Sequence, residues 1–215
     1  EIEPERVTVL AGTQNAFYSA CRCLFGHGDE VIVLDPAYVT YEACIGSTGA
    51  QQVRVEQPAV TGFRPDIDAI ERAVTSATRG IVFSNPSNPT GVALNGEELE
   101  AISRIAVSND LWVVVDEVYS DLVFDGVHHS IAGLPGMLER TVTVSSVSKS
   151  YAMTGWRCGW AVGPPELGSH LRKMALINLY GLPGFVMEAA DIALREGAEE
   201  IEQRERFIAL DEILW

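Results

Sequence analysis

Lys149 lies in the segment SSVSKS at residues 145–150, which directly follows an apolar run. A lysine at the end of a strand is usually a surface residue, but an ε-amine in a dry pocket can lose its proton and form a Schiff base with an aldehyde. Arg157, eight residues after Lys149, carries a planar guanidinium that can hold a phosphate through two hydrogen bonds. An amine that can combine with an aldehyde and a guanidinium that can bind a phosphate together suggest pyridoxal phosphate as the cofactor.

A carboxylate ends another apolar run. The run covers residues 111–115; Asp116 follows it directly, and Tyr119 comes three residues later. Taken alone, Asp116 caps the next turn and Tyr119 is an ordinary half-buried tyrosine. Beside a pyridine ring, however, the carboxylate would pair with the protonated ring nitrogen and strengthen the electron sink, and Tyr119 could reach the phenolic oxygen of the ring.

The segment SNPSNPTG at residues 84–91 contains two Asn-Pro pairs, which impose extended or turn geometry on the chain. Any tight loop can use such residues. A rigid loop at the end of a strand is also a means of holding one amide, that of Asn88, against a ligand with little entropy left to lose. Asn88 is therefore a candidate binding residue.

Two further segments could contact a cofactor. Residues 11–15, AGTQN, separate an apolar run at Val7–Leu10 from a helix that we expect to begin near Asn15. Gly12 permits close approach, and the N-terminus of a helix favours an anion, although Gly-Thr before a helix is also ordinary capping. Tyr38, in the segment DPAY, offers an aromatic ring that could stack on a planar cofactor.

All of these segments adjoin short β-rich runs, which alternate with longer helical patterns. Such alternation predicts an α/β fold with a mostly parallel sheet and helices on both faces. In sheets of this kind ligands bind at the carboxyl ends of the strands, which is where the candidate residues lie. The predicted strands are residues 7–10, 31–34, 52–55, 80–83, 111–115, 141–144 and 159–162, and the predicted helices are residues 15–25, 67–74, 96–106 and 167–176.

Composition excludes several classes of protein. The 215 residues are 47% hydrophobic and 21% charged, as in a compact globular domain rather than a disordered chain. A net charge of −15 opposes contact with nucleic acid or anionic lipid. No run approaches the roughly 20 apolar residues of a membrane helix. The four cysteines have neither zinc-site spacing nor the density of a disulfide scaffold, so we expect no metal site, reduced thiols and a cytoplasmic location.

The C-terminal residues suggest a second domain. A helical pattern begins near Glu188, carries Glu–Arg pairs at i,i+4 spacing and then runs into large apolar residues where the sequence stops. We expect residues 1–198 to form one large domain that lacks an N-terminal segment. We expect residues 199–215 to begin a helix that connects to a C-terminal small domain outside this sequence.

Five motifs, taken in their order, resemble the class I/II aminotransferases, which are pyridoxal-phosphate enzymes of the aspartate aminotransferase fold (fold type I). The resemblance runs from Gly12 to Gly159 and implies a three-layer α/β sandwich. The motifs are GTQ, DPAY, SNPSNPTG, DEVYSDLVF and SVSKSYAMTGWRCGW. Within the family, the stretches YVTYEA, LPGM, KSYAMTGWR and INLYGLP look most similar to bacterial enzymes of the arginine:pyruvate transaminase kind.

The resemblance also implies a role for each candidate residue. Lys149 would form the Schiff base with the cofactor and carry the proton, and Asp116 would pair with the pyridinium nitrogen. Tyr119 and Asn88 would contact the ring oxygen, and Asn88 would also contact the carboxylate of the substrate. Tyr38 would stack on the ring. The residues implied to bind the phosphate are Gly12, Thr13, Gln14, Ser146 and Arg157.

The activity implied by the resemblance is ping-pong transamination between an L-amino acid and a 2-oxo acid, in a homodimer whose subunits contribute residues to each other's sites. Leu179, Tyr180 and Gly181 are candidates for that contribution. Two alternatives stay open. The same motifs serve β-lyases, which cleave carbon–sulfur bonds, and an aminotransferase-like domain can also be a non-catalytic regulator. The amino donor stays open as well, with arginine, aromatic amino acids and aspartate as candidates.

Overall fold

The computed structural model describes residues 2–199 and 201, which form a seven-stranded sheet with helices on both faces. Among these residues no helix is both long and apolar enough to cross a membrane. The strands are β1 (Val7–Leu10), β2 (Glu30–Asp35), β3 (Gln51–Glu56), β4 (Thr78–Ser84), β5 (Trp112–Asp116), β6 (Thr141–Ser146) and β7 (Gly159–Val162). The helices are α1 (Gly12–Leu24), α2 (Tyr41–Gly46), α3 (Ile67–Arg72), α4 (Gly96–Ser108), α5 (Pro165–Leu179) and α6 (Gly184–Glu196).

The strands lie in the order β1-β7-β6-β5-β4-β2-β3. The neighbouring strands β3 and β2, β2 and β4, β4 and β5, and β5 and β6 pair in parallel. Strand β7 runs antiparallel to both β1 and β6. Ser84 on β4 pairs with Asp116 on β5, which pairs with Val144 on β6, so the carboxyl ends of the central strands meet at one edge. The predicted α/β class and mostly parallel sheet are therefore confirmed.

A hydrophobic core packs on each face of the sheet. Helices α1 and α5 cover one face, and α3 and α4 cover the other. The side chains of β5 alternate between the two cores, with Val114 in the first and Val113 and Val115 in the second. Because both faces are buried, the strand is apolar along its length, which is typical of parallel sheets.

Helices α4 and α1 begin where they do for different local reasons. Helix α4 begins where expected because Asn95 and Glu98 form a capping box, in which each side chain accepts a hydrogen bond from the backbone N–H of the other. The prediction that α1 begins near Asn15 is wrong, because the helix begins at Gly12. The φ angle of Gly12 is +82°, a conformation that glycine adopts readily, and it allows the chain to enter the helix directly after β1.

Helix α2 (Tyr41–Gly46) was not predicted from the sequence. Six residues are too few to display the 3.6-residue period by which a helix is recognised in a sequence. The helix buries Tyr41, Cys44 and Ile45, which join the same core as α1. Its stability therefore comes from packing rather than from helix propensity.

The C-terminal helices differ in part from the predicted pattern. Helix α6 begins at Gly184 rather than near Glu188, and Leu179 is the last residue of α5. Tyr180 follows it with 88% of its surface exposed. The Glu–Arg pairs and nearly all of residues 199–215 lie outside the described residues, so the domain division at residue 198 stays a prediction.

Substitution of Gly159 by alanine should destabilise the fold. A Cβ atom there would lie 2.6 Å from the carbonyl carbon of Gly12 and 2.7 Å from the carbonyl oxygen of Ser145, and backbone atoms cannot easily move away. We expect urea unfolding of Gly159→Ala to show a loss of about 1–3 kcal/mol, the usual cost of overpacking. Gly96→Ala is the matched control, since a Cβ at Gly96 meets open space. Equal unfolding free energies for the two variants would contradict the close approach.

Candidate active site

A cavity of about 230 Å³ opens at the carboxyl ends of the central strands, and nine of the ten residues predicted to bind a cofactor line it. The tenth, Gly12, lies behind Arg157: a Cβ atom on Gly12 would come within 2.5 Å of the Arg157 Nη2 atom. The fold thus brings together side chains that are widely separated in the sequence. The nine residues are Thr13, Gln14, Tyr38, Asn88, Asp116, Tyr119, Ser146, Lys149 and Arg157.

Lys149 lies in the turn that follows β6, with its Nζ atom 5.5 Å from the centroid of the Tyr119 ring. An aromatic face attracts a cationic amine at this range. The next residue, Ser150, is buried and donates a hydrogen bond of 2.6 Å to Asp121 Oδ2. The turn that carries the lysine is therefore tied to the segment after β5.

Asp116 is the last residue of β5 and is 7% exposed. Burial raises the pKa of its carboxyl group to about 6, against hydrogen bonds of 3.0 Å from the Val118 N–H and from the Tyr41 hydroxyl, which lower it. The charge of Glu117 raises the pKa less strongly, and that of Lys149 lowers it. A cation placed against Asp116 would favour the ionised carboxylate.

Tyr41, on α2, is a site residue that the sequence analysis missed. Its ring stacks on Phe17, with centroids 4.2 Å apart, and Tyr38 packs edge-on against it. Burial raises the pKa of Tyr41 well above its usual value, so its hydroxyl keeps its proton and donates to Asp116. The one signal in the sequence is the spacing Tyr38–x–x–Tyr41, which places two aromatic rings on one side of a helical turn.

A second part of the cavity combines hydroxyl groups, a guanidinium and the N-terminus of α1. Thr13 Oγ1 donates to Ser146 Oγ over 2.9 Å. Arg157 donates from Nη1 to the carbonyl of Thr154 and from Nη2 to the carbonyl of Ala11, so its guanidinium lies against the first turn of α1. A cation beside the N–H groups of a helix N-terminus stabilises an anion. We refer to this part, formed by Thr13, Ser146, Arg157 and the first turn of α1, as the anion site.

The two asparagines of SNPSNPTG have different roles. Asn85 is fully buried and fastens the loop, because its Oδ1 accepts from the Leu94 N–H and its Nδ2 donates to the carbonyl of His129. Asn88 faces the cavity, with its Nδ2 3.4 Å from the hydroxyl oxygen of Tyr119. Asn88 is thus the asparagine that can meet a ligand, as the sequence analysis expected.

The cavity unites an amine, a buried carboxylate, an anion site and an aromatic face. These groups fit a phosphorylated aromatic aldehyde with a basic ring nitrogen, which describes pyridoxal phosphate. Lys149 suits the aldehyde, and Asp116 suits the protonated nitrogen. A Cβ atom at residue 12 would come within 2.5 Å of the Arg157 Nη2 atom, so glycine at this position allows the guanidinium to lie against the start of α1.

Comparison with known proteins identifies the family. The family model described as aminotransferase class I and II matches residues 1–214. This chain therefore belongs to the class I and II aminotransferases, as its motifs indicate. An arginine–pyruvate transaminase of Pseudomonas aeruginosa is 47% identical to it over 201 residues, which are 94% of this chain and 51% of that protein. A probable N-succinyldiaminopimelate aminotransferase of Mycobacterium tuberculosis is 43% identical over 188 residues, which are 85% of this chain and 47% of that protein.

Solved structures show the same fold. A Pyrococcus protein superposes with a TM-score of 0.95 at 33% identity, over 100% of this chain and 56% of the other. An N-succinyldiaminopimelate aminotransferase from Mycobacterium tuberculosis superposes with a TM-score of 0.92 at 38% identity, over 98% of this chain and 56% of the other. The predicted three-layer fold is therefore confirmed. The chain spans about half the length of the curated relatives that it matches.

Substitution of Tyr41 by phenylalanine should raise the pKa of Asp116 above about 6, because it removes a hydrogen bond that stabilises the ionised carboxylate. The pKa can be measured by carbon-13 NMR of the labelled carboxyl group in the chain without added cofactor. Tyr38→Phe is the matched control, since Tyr38 packs beside Tyr41 without a hydrogen bond to Asp116. An unchanged pKa in Tyr41→Phe would contradict the role assigned to the hydroxyl.

Substitution of Asp116 by asparagine should stabilise the chain at neutral pH. The pKa is raised from 3.8 to about 6 in the folded state, so ionisation of Asp116 costs stability as the pH rises through that window. The cost is absent below about pH 4 and, at about 1.4 kcal/mol per pKa unit, is on the order of 2–3 kcal/mol above pH 6. Urea unfolding at pH 4 and pH 7 should show the gain only at pH 7. Asp125→Asn, which removes an exposed carboxylate, is the control for net charge.

Proposed function

We propose that this chain forms the pyridoxal-phosphate-binding large domain of an aminotransferase, which moves an amino group from an L-amino acid to a 2-oxo acid. The observation that carries the proposal is a single cavity that holds the Lys149 amine, the buried Asp116 carboxylate and the anion site at Arg157. Membership of the family and the transaminase names of the relatives support it.

Different residues of the cavity would hold different parts of the cofactor. When bound, pyridoxal phosphate supplies an aldehyde that combines with amines and a protonated ring that withdraws electrons from the α-carbon of the substrate. Asp116 keeps the proton on the ring nitrogen, and its pairing with that cation offsets the cost of burying its own charge. Tyr38 would pack on the ring face, and Tyr119 and Asn88 would contact the phenolic oxygen. The anion site binds the phosphate.

Lys149 carries the proton transfer. With the cofactor bound, its Nζ atom would accept the proton that leaves the α-carbon of the donor and would later release it, which is general base and then general acid catalysis by one group. The Tyr119 ring lies 5.5 Å from Nζ and limits the directions that the amine can take. The amide of Asn88 binds the carboxylate of the substrate and so fixes the α-carbon near the amine.

The longer protein that we propose is a cytoplasmic homodimer in which residues 199–215 lead to a C-terminal small domain. The relatives are about twice as long as this chain, which supports a further domain. Large apolar side chains near the end of α5 are mostly exposed, and a neighbouring subunit would cover them. They include Ile177, Tyr180 and Phe185, of which Tyr180 is our candidate for reaching the site of the neighbour.

The cofactor site can be tested by reductive trapping. The sequence contains two lysines, Lys149 and Lys173, and the second lies on α5. After addition of pyridoxal phosphate and reduction with borohydride, mass mapping should place the modification on Lys149 and spare Lys173. Lys149→Ala should lose the visible absorbance band of the bound cofactor, and Lys173→Ala should keep it. Modification of Lys173 alone, or a longer protein that stays colourless, would contradict the proposal.

The reaction can be tested on the longer protein that contains this chain. L-Arginine with pyruvate is the first pair to try, because the arginine–pyruvate transaminase is 47% identical to this chain. Lys149→Ala should lower the rate by a factor of about 10²–10⁴ or more, the usual contribution of a general acid or base. Release of pyruvate and ammonia from a cysteine-type substrate without an oxo-acid acceptor would establish the β-lyase alternative instead.

A further inference from the structure

Gln14 lines the cavity in the first turn of α1, but its side chain is hydrogen-bonded to Cys44 on α2 and to Thr40 directly before it. Its Oε1 atom accepts a hydrogen bond of 2.7 Å from Thr40 Oγ1, and its Nε2 atom lies 3.1 Å from Cys44 Sγ and donates to it. These two hydrogen bonds, one to the oxygen and one from the nitrogen of the side-chain amide, fix both the position and the orientation of the amide. The backbone N–H of Gln14, rather than its side chain, is then the group offered to an anion at the start of α1.

Helix α2 also contacts Asp116, the carboxylate proposed to pair with the ring nitrogen of the cofactor. Thr40 directly precedes α2, and Tyr41, its first residue, donates to Asp116. Cys44 is 4% exposed, and burial raises the pKa of its thiol, so the sulfur is a neutral acceptor for Gln14. One helix of six residues therefore reaches both the buried carboxylate and the first turn of α1.

We propose that Thr40 and Cys44 are positioning residues for phosphate binding. Acting through Gln14, they hold the first turn of α1 so that its N–H groups point at the phosphate of the cofactor. They lie outside the group of residues that line the cavity, so their effect is indirect. This inference rests on the proposed function, since it presumes that the anion site binds the phosphate of pyridoxal phosphate.

The test compares the affinities for pyridoxal phosphate and for pyridoxal, which lacks the phosphate, by absorbance titration of the full chain. Thr40→Val and Cys44→Ala should each weaken binding of pyridoxal phosphate about fivefold, the effect of one lost hydrogen bond, with little change for pyridoxal. The double variant should lose about tenfold or more. Thr40→Ser and Cys44→Ser keep a bonding partner for Gln14 and should restore the ratio of the two affinities.

Cys21→Ala is the matched control for loss of packing. Cys21 is buried on α1 in the same core cluster as Cys44, and its thiol makes no hydrogen bond to Gln14 among the described residues. Cys21→Ala should leave the ratio of affinities unchanged, and thermal unfolding should show that all variants fold. If Cys44→Ala and Thr40→Val weaken both ligands equally, their role is only structural and the inference is overturned.

A double-mutant cycle separates indirect from direct action. If the side chain of Gln14 acts only as a link, Gln14→Ala should lower the affinity for pyridoxal phosphate in the parent chain but cause no further loss when Thr40 and Cys44 are already replaced. An equal loss in both backgrounds would mean that the side chain binds the phosphate itself, which overturns the inference alone. A parent chain that binds both ligands with equal affinity would instead overturn the phosphate site and with it the proposed function.

Discussion

The arrangement of the cavity depends on one carboxylate held where water is scarce. Asp116 ends the central strand β5, with β4 on one side and β6 on the other, so burial follows from its place in the sheet. Two hydrogen bonds, from the Val118 N–H and the Tyr41 hydroxyl, offset part of the cost of charging it. An acid that is costly to ionise on its own interacts strongly with a cation placed against it. The chain thus trades stability for a site prepared for a charged ring.

Much of the fold can be predicted because the features that encode it are local. Strands buried on both faces appear as apolar runs, and the capping box of Asn95 and Glu98 marks the start of α4 in the sequence itself. Helix α2 could not be predicted, because six residues show no period and its buried Tyr41 is stabilised by contact with Phe17, far away in the chain. The start of α1 was misplaced because it depends on a positive φ angle at Gly12.

The site, like the fold, could be predicted only in part. Its candidate residues were found because motifs of family type mark the ends of strands, and a parallel sheet brings those ends together. The contacts among them could not be foreseen, because each joins distant segments. Gln14 was expected to bind phosphate, yet its side chain points to Thr40, 26 residues away. Asn88 was expected to face a ligand, but the hydrogen bonds that fasten its loop through Asn85, to Leu94 and His129, could not be foreseen.

The position of β7 between β1 and β6 determines when the anion site can exist during synthesis. The contact between Arg157 Nη2 and the carbonyl of Ala11 joins residues 146 apart, and the strand that follows Arg157 is the one that pairs with β1. A nascent chain that ends before Arg157 contains the first turn of α1 but lacks the guanidinium beside it. Because domains fold as their segments leave the ribosome, from the N-terminus onward, the phosphate-binding part of the cavity is completed late, after most of the sheet has been made.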